Sequence, residues 1–298
     1  MARTENRAAW GFLAPWVVGF LLFTAGPMLV SLWLSLTNYD MLKPPVFVGA
    51  DNYRELFTDP KVATALYNTL FFTVLHVPLQ IALGLALASL LRRAGRAGGF
   101  FRTVLYLPVM TPPVALAALF LLLLNGQTGA INEVLGWFGF TGPNWTTDPM
   151  WVKPGLVLMS LWTVGGTAVI YLAALTRVPP ELYEAARLDG ASPWRQFRHV
   201  TLPMISGTVY FTVIVNTIAS LQVFTEAYVM FYGNSETAAG RDDTALFYVI
   251  YLFQQAFGSL RMGYASALAW MLFLVIAVIT VVQVRVSRRL VHYEGEPR

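Results

Sequence analysis

The densest run of charged and hydrogen-bonding side chains lies at residues 178–203, VPPELYEAARLDGASPWRQFRHVTLP. Its spacing suits a helix–turn–helix for protein contact better than a catalytic centre. Pro179 and Pro180 suit the end of one helix and the first turn of the next. Glu181 and Glu184 favour that helix's positive N-terminal end. Ala185 and Ala186 keep one side small, so that another backbone can come close. Gly190 can supply the left-handed residue that stops the helix. Ser192-Pro193 reads as an N-cap followed by an N1 proline. Trp194 and Phe197 give the second short helix an apolar face, and Leu202-Pro203 marks a return to apolar sequence. A membrane-surface loop with Arg187, Arg195 and Arg198 on anionic lipid would account for the aromatics and arginines. It leaves the small-residue helix and its glycine stop unexplained.

Other chemistries are missing. The chain has no cysteine, which removes disulfides, thiol catalysis and Cys-ligated metals. A phosphate-binding P-loop needs Gly-Lys, and none of Lys43, Lys61 and Lys153 follows a glycine. His76, His199 and His292 are far apart, with no H-E-x-x-H, and no G-x-S-x-G occurs. An intramembrane enzyme would need ionisable residues facing each other at mid-membrane. The clear acidic candidate there, Glu226, falls near the outer end of an apolar segment.

Of the 298 residues, 56% are hydrophobic and 12% charged. That is half the ~25% charge of a typical soluble domain. The apolar residues gather in six runs, at 8–36, 66–91, 103–124, 154–176, 204–232 and 262–284. Each is long enough for a helix to cross a bilayer core about 30 Å thick. The first exceeds the about 7–15 residues of a signal-peptide core and has no clear cleavage site, so it is expected to be a retained helix.

Lysine and arginine predict the orientation. The N-terminus, the loops at 92–102 and 177–203 and the C-terminal tail hold 14 of the 20 basic and 6 of the 16 acidic residues, a net +8. The other side holds 6 basic and 10 acidic residues, a net −4. The first side is expected to be cytoplasmic, with both termini inside. Topology thus accounts for the basic balance, and nucleic-acid binding is unnecessary. The fold class expected is an all-α, six-helix membrane bundle forming one domain over 1–298. Pro15, Pro27, Pro78, Pro108, Pro112 and Pro113 fall within or beside the spans. Backbone groups they free must be satisfied by neighbours or water. His76, Gln80, Asn216, Gln222 and Glu226 lie in apolar stretches, where helix-to-helix hydrogen bonding is the ordinary role.

Glu184-Ala185-Ala186, three residues, Gly190, nine residues, Val200, one residue, then Leu202-Pro203 resembles the EAA loop of permease subunits of bacterial ATP-binding-cassette (ABC) importers. The Asp189-Gly190-Ala191 version resembles the carbohydrate-uptake branch. So do residues 16–40 with 47–60, FRTVLYLPVMTPPVA at 101–115, SLQVFTEAYVM at 220–230 and MGYASALAWMLFL at 262–274. The resemblance covers nearly the whole chain and points to the maltose and glycerol-3-phosphate type. Enteric maltose permeases of this type carry extra N-terminal helices and a large outer insertion that are not seen here, so their cargo is not carried over. The Gly-Gly-Gly-Pro turn common after the fifth helix is replaced by YGNSETAAGRDD.

The resemblance implies a multi-pass protein of the bacterial cytoplasmic membrane that imports a sugar or oligosaccharide, with a polyol phosphate as the alternative cargo and a non-transport membrane scaffold as a distant one. It implies a second homologous permease, two ABC ATPase subunits and an extracytoplasmic solute-binding protein as partners. The chain itself would bind no cofactor, ATP and magnesium belonging to the ATPase, and would be no enzyme. Glu184, Ala185, Ala186, Asp189, Gly190, Leu202 and Pro203 would couple it to the ATPase, with Glu184 meeting a basic residue there. For the cargo, rings with apolar faces and polar edges suit mixed aromatic and polar side chains. Trp162, Thr167, Ser220, Gln222, Phe224 and Glu226 are the candidates. Gly165-Gly166 reads as close helix packing.

Overall fold

The computed structural model describes residues 12–232 and 243–290. The start of the first apolar run, most of YGNSETAAGRDD, His292 and the charges Arg3, Glu5, Arg7, Glu294, Glu296 and Arg298 of the termini lie outside the described residues.

The all-α expectation holds. Apart from a two-residue hairpin pairing Thr37–Asn38 with Val46–Phe47, every described regular element is helical. Among the described residues, four helical stretches are long and apolar enough to cross a membrane: Phe12–Leu34, Pro60–Arg93, Ser206–Tyr232, which breaks at Gln222–Phe224, and Met262–Ser287. Two bent pairs raise the number to six if each is one crossing. The six match the six apolar runs in order.

The expected third and fourth spans are not single straight helices. Gly95–Met110 and Pro113–Leu123 meet at 98°. Thr111 (ψ 128°) and Pro112 (ψ 136°) are both extended between them. Each precedes a proline whose ring disfavours helical backbone, and neither Pro112 nor Pro113 has an N–H to continue the ladder. Val152–Leu161 and Gly165–Thr176 meet at 48°. There the close packing read from Gly165-Gly166 is real at one position. A Cβ on Gly165 would stand 1.7 Å from the Leu105 carbonyl oxygen, whereas one on Gly166 would meet the Val109 side chain at an ordinary 3.6 Å.

Contacts divide the chain into two compact units, Met1–Val62 with Tyr251–Val275, and Ala63–Ile250 with Ile276–Arg298. In the first unit, the buried Asn52 amide donates to the carbonyls of Ser35 (2.8 Å) and Thr37 (2.9 Å). Gly263 opens the last span where a Cβ would stand 2.0 Å from the Thr37 carbonyl oxygen. Arg261 pairs with Glu55 at 2.6 Å. Asp59, just before the second span, accepts hydrogen bonds from Tyr251 and Tyr264, the latter at 2.9 Å, and from the Lys61 N–H at 2.9 Å.

Partial burial pushes the Asp59 carboxyl up, but the two tyrosine hydroxyls and the Lys61 amide outweigh it and hold the pKa below the usual carboxylate value. A depressed folded pKa means stabilisation that is present above the unfolded value, about 4, and is lost as pH falls through the folded one. Asp59→Asn is therefore expected to lower the unfolding temperature at neutral pH and to flatten its decline in acid. Thermal unfolding of the detergent-solubilised chain from about pH 7 to about pH 3 measures this. Parallel acid profiles for wild type and variant would disprove it.

The second unit has a buried cluster of Ala88, Leu91, Tyr171, Leu172, Leu175, Val178 and Ile205. The Tyr171 hydroxyl meets Thr212 Oγ1 at 2.5 Å, and Tyr210 bonds the Gln283 carbonyl.

Candidate functional site

Within the second unit a cavity of about 430 Å³ opens between the second to fifth spans. That volume lies within the ~300–1,000 Å³ of small-molecule sites. Phe72, His76 and Gln80 contribute one stripe of the second span at i, i+4, i+8. Met159, Ser160 and Thr163 come from the fourth, and Asn216 with 219–220 and 222–226 from the fifth.

The fifth span supplies most because it is interrupted. Ser206–Leu221 stops at Gln222 (φ −108°, ψ 16°), and Thr225–Tyr232 restarts after Phe224. At the break the Gln222 N–H bonds the Ala219 carbonyl (3.2 Å), the Val223 N–H that of Ser220 (3.4 Å), and the Phe224 carbonyl accepts from the Tyr228 N–H (2.7 Å). An interrupted membrane helix places backbone polar groups beside a cavity, where water or a ligand can satisfy them.

Of the six candidate cargo residues, Ser220, Gln222, Phe224 and Glu226 line this cavity, and Trp162 and Thr167 do not. Trp162 is 51% exposed and meets Phe120 edge-on at 5.8 Å. Thr167 is buried and accepts from Gln80 Nε2 at 3.2 Å. In Phe224 the ring stacks on Tyr228 at 5.3 Å.

His76 and Gln80 do make the helix-to-helix hydrogen bonds expected of them. His76 Nδ1 lies 2.9 Å from Ser220 Oγ, with its ring stacked on Phe72 at 5.2 Å. They also line the cavity, which sequence reasoning missed. The stripe 72/76/80 was the available signal. His76 Nε2 and Gln80 Oε1 have no hydrogen-bond partner among the described residues. Among the described residues Glu226 is the one carboxylate lining the cavity, and neither lysine nor arginine lines it.

The loop at 178–203 is built as its sequence indicates. A helix runs Pro180–Leu188, and Gly190 follows at φ +72°. The Ala191 N–H bonds the Ala186 carbonyl at 2.9 Å and the Gly190 N–H that of Arg187 at 3.0 Å, closing the helix end. The Ser192 hydroxyl accepts from the Arg195 N–H at 3.4 Å, and Pro193 opens the next helix, Pro193–Gln196. Leu202 and Pro203 begin the short helix Leu202–Met204 that leads into the fifth span.

Tyr183 ties this loop to the spans. Its ring packs against the buried cluster. Its hydroxyl accepts from Arg92 at 3.2 Å and lies 3.0 Å from Thr201 Oγ1. Pro180, Tyr183, Glu184 and Arg187 share one helix face and line a second cavity of about 950 Å³. Ala185 and Asp189 are exposed, Ala186 half-buried, and Leu188 90% exposed. Among the described residues no group of three or more His, Cys, Asp or Glu could hold a metal.

Residues 80–292 match the family described as binding-protein-dependent transport system inner membrane component. The probable ABC transporter permease protein YesP of Bacillus subtilis is 35% identical over 99% of this chain and 94% of its own length. The lactose transport system permease protein LacF of Rhizobium radiobacter is 33% identical over 94% of this chain and 93% of its own. Among solved structures, a chain of a bacterial ABC transporter involved in import of the acidic polysaccharide alginate superposes with a TM-score of 0.82. It is 25% identical and covers 97% of this chain and 98% of that one.

Proposed function

The chain belongs to the family of binding-protein-dependent transport system inner membrane components, and from that premise we propose that it carries a neutral sugar or oligosaccharide through the cavity at the break in its fifth span. It is an ABC importer permease of the inner membrane. The cavity's lining supports the neutral cargo. Phe224 offers an apolar ring, and Ser220, Gln222, Asn216 and Glu226 offer hydrogen bonds to hydroxyl edges. A polyol phosphate or an acidic polysaccharide would need a cation to replace its hydration. Among the described residues the lining has none and has a carboxylate instead. The pathway proposed therefore runs past Ser220, Gln222, Phe224 and Glu226, adds His76 and Gln80, and leaves out Trp162 and Thr167.

Ser206–Tyr232 and its neighbours would alternate between inward- and outward-open states as ATP binds elsewhere. The partners are a second related permease, two ATPase copies that hold ATP and magnesium, and an external solute-binding protein. Hydrolysis takes place on the ATPase. Docking of helix Pro180–Leu188 into the ATPase would bring Ala185, Ala186, Leu188 and Asp189 to its surface, with Glu184 at the edge of the contact. The loops at 92–102 and 177–203 face the cytoplasm in this reading, as their arginines require.

Stimulation of ATP hydrolysis by cargo in the assembled complex tests the assignment. Neutral oligosaccharides are expected to stimulate and glycerol 3-phosphate is not. Gln222→Ala and Glu226→Ala are each expected to raise the half-saturating cargo concentration about tenfold, the loss of one hydrogen bond to the cargo. Stimulation by the phosphate alone would overturn the neutral-cargo reading.

A further inference from the structure

The cavity of about 950 Å³ beside helix Pro180–Leu188 is not used by the cargo pathway. Its place relative to a bilayer follows from its walls. Arg92 and Arg93 are the last two residues of the span Pro60–Arg93, and Thr176 is the last of Gly165–Thr176. A cavity walled by the ends of two spans lies on the headgroup side of the hydrocarbon core.

Its charge is positive. Among the described residues Arg92, Arg93 and Arg187 line it, against one acidic residue, Glu184. None of the three arginines forms an ion pair among the described residues. Arg92 donates to the neutral Tyr183 hydroxyl and lies 5.2 Å from that ring's centre, so its charge is held in place without being neutralised. The rim is amphipathic. Trp194 is 69% exposed and stacks on Phe197 at 5.6 Å. Exposed tryptophan beside arginine is the composition of a membrane–water interface.

We propose that this cavity holds the phosphate headgroup of an anionic phospholipid. Guanidinium forks match phosphate oxygens two at a time, and juxtamembrane cations favour anionic headgroups. Trp194 and Phe197 would flank the glycerol backbone. A soluble phosphate would use the same arginines but would gain nothing from those rings or from the ends of the spans. The site stands whether or not the cargo is neutral, because it shares no residue with the cargo pathway.

Native mass spectrometry of the full chain, titrated in detergent with phosphatidylglycerol or phosphatidylcholine, tests this. Wild type is expected to bind phosphatidylglycerol about tenfold more tightly, and Arg93→Gln/Arg187→Gln is expected to remove that preference. Unchanged phosphatidylcholine binding shows that the variant is folded. Arg96→Gln/Arg198→Gln removes the same charge from exposed positions that do not line the cavity and is expected to keep the preference. Equal losses in both double variants would mean diffuse surface attraction and overturn the site. So would an absence of preference in wild type. Displacement of the lipid by millimolar inorganic phosphate would reassign the cavity to a soluble anion.

Discussion

Gly190→Pro is expected to reduce cargo-stimulated ATP hydrolysis by the assembled importer more than tenfold while the chain stays inserted and monodisperse. Gly190 stands at φ +72°, and its N–H bonds the Arg187 carbonyl. Proline fixes φ near −65° and has no N–H, so it cannot adopt this conformation or make this bond. Even alanine would pay about 1–2 kcal/mol for the left-handed backbone. The helix Pro180–Leu188 would lose its stop and the turn that aims Ser192-Pro193 into the second helix. Because the loop lies outside the spans, the membrane fold should survive. Glu184→Lys probes the same contact by charge, and is expected to lower both ATPase co-purification and stimulation. Undiminished assembly and stimulation in both variants would remove the coupling assignment from residues 178–203. It would leave the cargo cavity untouched.

Gly165→Ala and Gly166→Ala are expected to behave oppositely, although they are adjacent and chemically identical. A Cβ on Gly165 would stand 1.7 Å from the Leu105 carbonyl oxygen and 2.5 Å from its carbon. That obstacle is backbone, so relief requires the third span to move away from the fourth. Overpacking of a filled interior typically costs about 1–3 kcal/mol, and a backbone collision belongs at the upper end. At Gly166 the nearest atom is a Val109 methyl at 3.6 Å, an ordinary contact. Removing a glycine from a helix also gains about 1 kcal/mol of propensity, so Gly166→Ala is expected to be neutral or stabilising. Thermal unfolding monitored by loss of monodispersity separates the two. Equal stability of the two variants would show that the third and fourth spans do not meet at Gly165.

The loop at 178–203 was legible almost residue by residue. Prolines, an N-cap serine and a stop glycine act within four residues of themselves, so their consequences are local. The six apolar runs were legible for a related reason, since bilayer thickness sets helix length whatever the helices pack against. Proline positions pointed to disturbed spans without giving a 98° angle, which the extended backbone at Thr111 and Pro112 sets.

The cavity proposed for the cargo was legible only in part. SLQVFTEAYVM marked a stretch that lines the cavity, yet Gln222–Phe224 carries no proline or glycine to announce a break. Trp162 and Thr167 had suitable chemistry and found other company in Phe120 and Gln80. His76 had the chemistry and the place, but its partner Ser220 lies 144 residues away.

By itself, then, the sequence determined which segments are long and apolar enough to cross a membrane and which loop folds as a helix, a glycine stop and a second helix. Those depend on composition, charge and short-range backbone geometry. Only the tertiary structure decided where the spans bend, which polar side chains bond one another, and which line open space. Those outcomes depend on which helix faces meet, and a helix presents every side chain on its surface until a neighbour covers one side.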